Sequence, residues 1–222
     1  MASDPHPRLY VEGRDDQWAI LSLLAVNGIA LKKETGPVVI QPVESVSTML
    51  DRLVTFIKPS QAKGQPVGFV LDIDVDLDRR WNAIRSKLVG AGHSVPNGAL
   101  SQDGVILVLK NGPVGFWLMP DNLRHEGNLE DFLRTLIPAD DLVLPLAEKY
   151  VEGIMDNVPS ETRFRDVDQE KSVMSSWLAV RNPPGLPYGT AITARTLLPT
   201  SPVAERFVSW FCRLYGVARD SK

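Results

Sequence analysis

In the stretch "FVLDIDVDLDRRW" (69–81), Asp72, Asp74, Asp76 and Asp78 recur at every second position behind an apolar run. On a strand, alternate residues point the same way, so the spacing gathers negative charge at one sheet end. Two unit charges about 4 Å apart repel by roughly 1 kcal/mol in water and roughly 4 kcal/mol at an effective dielectric near 20. Acid also follows two other apolar segments. Glu12 closes "RLYVE", with Asp15 and Asp16 one helical turn later, and Glu126, Glu130 and Asp131 follow "GFWLMPDN". Carboxylates drawn from separate parts of a chain to one rim suit a hard divalent cation with oxygen ligands.

Helix capping is the competing use of such residues. Asp78 is expected to cap the helix that begins at Arg79, with Arg79 and Arg80 as solvated neighbours, and Asp15 or Asp16 to cap "QWAI". Asp72 and Asp74 differ because they continue a strand, and one cap cannot use both. They are assigned to a cation or to catalysis. Asp76 stays open between assisting them and facing solvent.

The elements that position these groups follow from periodicity. "RLYVEG" (8–13), "GPVVIQPV" (36–43) and "QPVGFVLDID" (65–74) read as strands, the last apolar on both faces as a central parallel strand is. Between and after them, 15–28, 45–57 (stopped by Pro59) and 78–92 carry helical apolar spacing. The β-α-β-α-β-α order predicts an α/β fold with a mostly parallel, Rossmann-like central sheet flanked by helices. Residues 104–120 predict two strands about an Asn111-Gly112 turn. Helices are expected over 129–137, 142–155, 166–181 and 201–215, with a loop, "NPPGLPYG", at 182–189. The expected division is an α/β core over 1–137 and a helical C-terminal extension over 138–222, the alternative being one continuous domain.

A net charge of −3 and a pI near 5.7 exclude a global positive field drawing the chain to nucleic acid, leaving any such attraction to a locally bound cation. The single cysteine, Cys212 in "VSWFCRLYG", forms no intramolecular disulfide and reads as a buried apolar residue. His6, His93 and His125 share no zinc-ligand spacing. No apolar run reaches a membrane span, and "MASDPHPR" lacks the basic start and apolar core of a secretory signal. The expectation is a soluble protein of the reducing cytoplasm, without a membrane partner.

Motif comparison narrows the chemistry. A calcium-binding EF-hand loop counted from Asp72 needs glycine and glutamate where Leu77 and Ala83 stand, so that reading fails. "FVLDIDV" fits the strand-D-x-D of haloacid-dehalogenase phosphatases, which usually lies on a first core strand; here two β-α units precede it. "LYVEGRDD" followed by "FVLDID" resembles the Toprim domain, shared by topoisomerases, bacterial primases, recombination proteins and the overcoming-lysogenization-defect (OLD) nucleases. Glu12 matches that family's glutamate, and Asp72 and Asp74 its D-x-D. The OLD-like branch is similar further: Asp16 falls where that branch has an aspartate after the glutamate, and "GNLEDFL" offers Glu130 as the match to its later acidic segment. The whole chain resembles a group of stand-alone bacterial Toprim-like proteins.

The resemblance implies Mg²⁺- or Mn²⁺-dependent phosphodiester chemistry. Glu12, Asp72 and Asp74 would hold one ion, with Asp16 and Glu130 helping to hold a second. Glu12 is alternatively a general base or acid if its neighbours raise its pKa. The lysine that OLD-like nucleases aim at phosphate is matched by Lys171 in "QEKSVMSSW", with Lys110 in reserve. No G-x-x-x-x-G-K-[ST] occurs, so the chain is unlike full-length OLD proteins, and a separate partner ATPase is implied by analogy. The expected function is a metal-dependent nuclease on DNA or RNA in phage defence, with a homo-oligomer allowed. The alternatives are a non-catalytic interaction subunit, motivated by the acidic pI and the apolar helix "VAERFVSWFCRLYG", and the phosphatase above.

Overall fold

A computed structural model describes residues 6–31 and 36–220. Residues 1–5 of "MASDPHPR", on which the expectation of no secretory signal rests, lie outside the described residues. The first strand, β1 (Arg8–Val11), leads through Glu12 into α1 (Arg14–Val26), and β2 (Val39–Pro42) follows. Next come α2 (Val46–Asp51) and α3 (Leu53–Ala62), where the sequence predicts a single helix stopped by Pro59. The break falls instead at Arg52, and α3 runs through Pro59. Thr55, whose carbonyl loses its amide partner to the proline, and Pro59 are both exposed, so water can take the bond. Phe56, Ile57 and Ser60 meanwhile carry the buried face onward.

The chain continues with β3 (Val67–Asp72), α4 (Leu77–Gly90), and a hairpin of β4 (Val105–Leu109) and β5 (Gly112–Met119). Helices α5 (Leu129–Arg134), α6 (Leu144–Asn157), α7 (Gln169–Ala179), α8 (Tyr188–Thr193) and α9 (Pro202–Tyr215) complete it. The helix expected over 166–181 opens as a 3-10 turn, Asp166–Asp168. The expected loop at 182–189 already contains the start of α8, a short helix that its proline- and glycine-rich flank conceals.

The sheet order is β2-β1-β3-β5-β4; all pairs are parallel except the β4–β5 hairpin, which makes a mixed, Rossmann-like α/β fold. Side chains along each strand alternate between two cores, as the pleat requires. Leu9, Val11, Val70, Trp117 and Met119 enter the core shared with α1 and α5–α9. Tyr10, Phe69, Leu71, Phe116 and Leu118 enter the core shared with α2–α4.

Helix α9 explains why two strand positions are glycine. Gly68 on β3 and Gly115 on β5 are register partners. A Cβ at Gly115 would lie 2.4 Å from Leu214 Cδ2, and one at Gly68 2.6 Å from the Tyr215 hydroxyl. The bare backbone lets α9 lie close, where Trp210 Nε1 donates to Val105 O (3.1 Å) and Tyr215 OH to Arg8 O (2.7 Å). Phe207, Trp210 and Phe211 are fully buried in one cluster with Leu9, Val70 and Trp117, so α9 shares the core of the sheet. Cys212 on the same helix is half-buried, and burial raises its thiol pKa. Among the described residues no helix is long and apolar enough to cross a membrane.

Candidate functional site

From β1 the chain crosses to β2 on one side and returns to β3 on the other, so strand order reverses between β1 and β3. In open α/β sheets the crevice at the carboxyl ends of such a strand pair is where ligands bind. Glu12 follows β1 and Asp72 ends β3, which sets both at that crevice. They are joined: the Asp72 amide donates to Glu12 Oε1 at 2.7 Å.

That amide satisfies Glu12 only in part. Burial, then Asp16 and Asp74, push its carboxyl from 4.5 up to about 7, against the lowering effect of the Asp72 amide and Arg80. Asp72 is less satisfied still. Its Oδ1 is fully buried and has no hydrogen-bond partner. Burial first, then Glu12, Asp16, Glu130 and Asp74, raise its pKa well above the ordinary 3.8. A buried carboxylate oxygen without a donor is costly unless a proton or a cation meets it.

Asp16, 7% exposed, stands in the first turn of α1. Neither it nor Asp15 is the N-cap; Gly13 is, and Asp16 reaches back to accept from the Gly13 amide at 3.0 Å. Burial and the nearby Glu130 and Asp15 still lift Asp16 from 3.8 to about 6. Asp74 lies past the strand end in the left-handed region (φ 61°). Its backbone pairs with Gly127 in both directions, at 2.9 and 3.0 Å, and the Leu77 amide donates to His125 O at 2.8 Å. These bonds pin 125–127 across 74–77 and so bring the start of α5, with Glu130, to the rim. Arg134 then ties α5 to Glu148 on α6 and Glu170 on α7. Glu130 is 8% exposed, accepts from Tyr188 OH at 3.3 Å, and has its pKa raised chiefly by burial while Lys171 opposes the shift.

The remaining acids divide. Asp76, and not Asp78, caps α4: its carboxylate accepts from the Arg79 amide at 2.9 Å, and Asp78 sits inside the first turn. The helix starts at Leu77, ahead of Asp78, and Asp76 has the extended backbone (φ −161°, ψ 108°) of a cap. Arg80, expected in solvent, is largely buried (14% side-chain exposure) and pairs with Asp74. Asp131 closes a capping box with Asn128, and Glu126 is exposed. Lys171 on α7 is exposed and acts on Glu130. Lys110 occupies the β4–β5 turn, at the end of the sheet opposite Asp72 and away from the carboxylates.

Glu12, Asp16, Asp72, Asp74 and Glu130 thus come to one rim and act on one another. Among the described residues no three acidic, histidine or cysteine side chains stand ready as a closed metal cage. The donor set nonetheless fits a divalent cation: all five groups are oxygen donors, and one buried oxygen lacks any partner. Sequence reading missed Arg80 and Tyr188. The first follows a capping aspartate and resembles any solvated helix charge. The second lies in a proline- and glycine-rich stretch with no periodic signal.

Fold and site together define a Rossmann-like α/β protein with an acidic cluster at its strand-order reversal. The chain belongs to the family described as "Protein of unknown function (DUF3226)", whose model matches residues 6–216. No curated protein and no solved structure matches it.

Proposed function

We propose that the chain is a divalent-metal-dependent nuclease acting on DNA or RNA. The observation that carries this reading is the buried, unpartnered Asp72 Oδ1 at the β1/β3 crevice, with Glu12, Asp16, Asp74 and Glu130 acting on the same carboxyl. Glu12, Asp72 and Asp74 are the residues to hold Mg²⁺ or Mn²⁺, with Asp16 and Glu130 as the set for a second ion. A bound ion supplies activation of water and stabilisation of the leaving oxygen. Alternatively, Glu12 leaves the ion to the other carboxylates and, with its pKa raised to about 7 in the metal-free chain, accepts the proton of the attacking water. Lys171 offers a positive charge to the substrate phosphate. Arg80 holds Asp74 through its ion pair and so orients one of the carboxylates. The resemblance to Toprim and OLD-like nucleases points the same way and brings with it, as part of the proposal, a role in phage defence, a separate ATPase partner and assembly as a homo-oligomer.

A binding-only role has one observation in its favour: Leu142, just before α6, and Leu146 and Tyr150 on α6 are exposed apolar side chains four residues apart. Helix α9, the sequence motive for that reading, is core. The two are separated by incubating the protein with plasmid DNA and with structured RNA, with Mn²⁺ or with a chelator. The expected result is cleavage of at least one substrate in Mn²⁺ alone, reduced at least about a hundredfold in Glu12→Gln, the scale of losing one preorganised catalytic group. Cleavage insensitive to the chelator and to Glu12→Gln, or none of either substrate, overturns the nuclease reading.

A further inference from the structure

Helices α1 and α8 approach unusually closely at Gly189, where a Cβ would lie 2.8 Å from both Ser22 Oγ and Trp18 O. Beside that contact a cavity of about 490 Å³ opens, lined by Asp15, Trp18 and Ser22 of the α1 side and Tyr188, Thr190 and Thr193 of α8. Its size is that of a small-molecule site. A second cavity of about 260 Å³ shares Asp15 and Tyr188 with it and adds Lys171 and Ser175. The shared wall leads to the acidic cluster, because the Tyr188 hydroxyl bonds Glu130.

The two cavities differ in chemistry. The larger one is lined by two aromatic rings, four hydroxyls and a carboxylate, with no cation to attract phosphate. The smaller one holds the lysine. Trp81, Trp117, Trp177 and Trp210 are buried, whereas Trp18 is 48% exposed. An exposed indole beside hydroxyls and a carboxylate suits a flat heterocycle with polar edges: stacking on the ring, and donation of an exocyclic amino group to Asp15.

We propose that the α1/α8 cavity is a nucleobase subsite, taking an unstacked base of a single strand while the adjoining phosphate passes Lys171 toward the carboxylate cluster. The proposal rests on the nuclease reading and adds to it a single-stranded substrate and a base-stacking residue, Trp18. Trp18 is a positioning residue, since it touches the substrate's base and none of the reacting atoms.

The test is binding in chelator, so that it needs neither metal nor turnover. Short oligodeoxycytidylate and oligoribocytidylate are titrated onto the whole chain while acrylamide quenching of tryptophan emission is followed. Trp18 is the accessible indole, so its protection is read directly. One or both oligomers are expected to protect it, and an abasic oligomer of equal length is not. Fluorescence anisotropy of a labelled oligomer is expected to show about tenfold weaker binding in Trp18→Ala and recovery of most of that loss in Trp18→Phe. Equal protection by the abasic oligomer, no protection, or unchanged affinity in Trp18→Ala overturns the subsite. Protection without any metal-dependent cleavage would remove the nuclease reading and leave the subsite standing; cleavage without protection would do the reverse.

Discussion

Asp72→Asn is expected to make the metal-free protein more stable and to abolish the proposed metal-dependent cleavage. The asparagine keeps the shape of the side chain and removes a charge that the fold does not compensate. Asp72 Oδ1 is buried with no donor, and burial and four neighbouring carboxyls raise its pKa. Relieving a buried unsatisfied group is worth about 1–3 kcal/mol, and at this chain length each kcal/mol moves Tm by about 2–4 °C. Thermal melts in chelator at pH 8 are therefore expected to rise by on the order of 5 °C, with the gain shrinking toward pH 4, where the aspartate is itself neutral. Metal-dependent cleavage is expected to fall by at least about a thousandfold, because a lost ion takes several kcal/mol of transition-state stabilisation with it. An unchanged or lower Tm with full activity would mean that Asp72 is an ordinary satisfied residue.

The second large effect is on pH. In the folded chain Glu12 keeps its proton to about pH 7 instead of 4.5, and Asp16 to about 6 instead of 3.8. Between those values the folded state binds more protons than the unfolded one, so stability falls as pH rises. The stabilisation is complete below about pH 4 and is lost through pH 7. Asp141 works in the opposite sense: hydrogen bonds from Trp177, the Leu144 amide and Arg181 outweigh its burial and hold its pKa low, so its stabilisation is fully present above the usual aspartate range, is lost only as pH falls below it, and adds no slope between pH 5 and 8. In chelator, Tm is therefore expected to drop steadily from pH 5 to 8. A divalent cation reverses this, because its ligands must be deprotonated and it binds only the folded state. The Tm difference between Mn²⁺ and chelator is expected to be small at pH 5 and to widen through pH 7. Differential scanning calorimetry across that range checks both slopes; a chelated protein that grows more stable toward pH 8 would contradict them.

Much of this arrangement was legible in the chain itself. Asp72 stood out because it ends a run apolar on both faces, which only a central strand tolerates, and Glu12 because it ends another. The sheet then had to bring the two ends together, and it does so by a direct bond from the Asp72 amide to Glu12. What sequence could not settle were choices made by tertiary geometry. Asp76 and Asp78 are equally good caps by type, and the backbone at residue 76 decides between them. Period-two spacing grouped Asp74 with Asp72, but the strand stops first, and Asp74 adopts a left-handed turn to meet Gly127 and Arg80. Pro59 reads as a stop, yet the helix passes it because the affected face is solvated. Helix α8 and the cavity beside it depend on a glycine whose value lies in a contact with Trp18 and Ser22, distant in sequence.

The central claim is that five carboxylates at the β1/β3 crevice hold a divalent cation. Crystals soaked in Mn²⁺ above pH 7, with data collected at the manganese absorption edge, test it directly. The expected result is at least one anomalous peak coordinated by Glu12, Asp72 and Asp74, with any second peak at Asp16 and Glu130. Well-ordered carboxylates at that crevice with no anomalous density among them would contradict it.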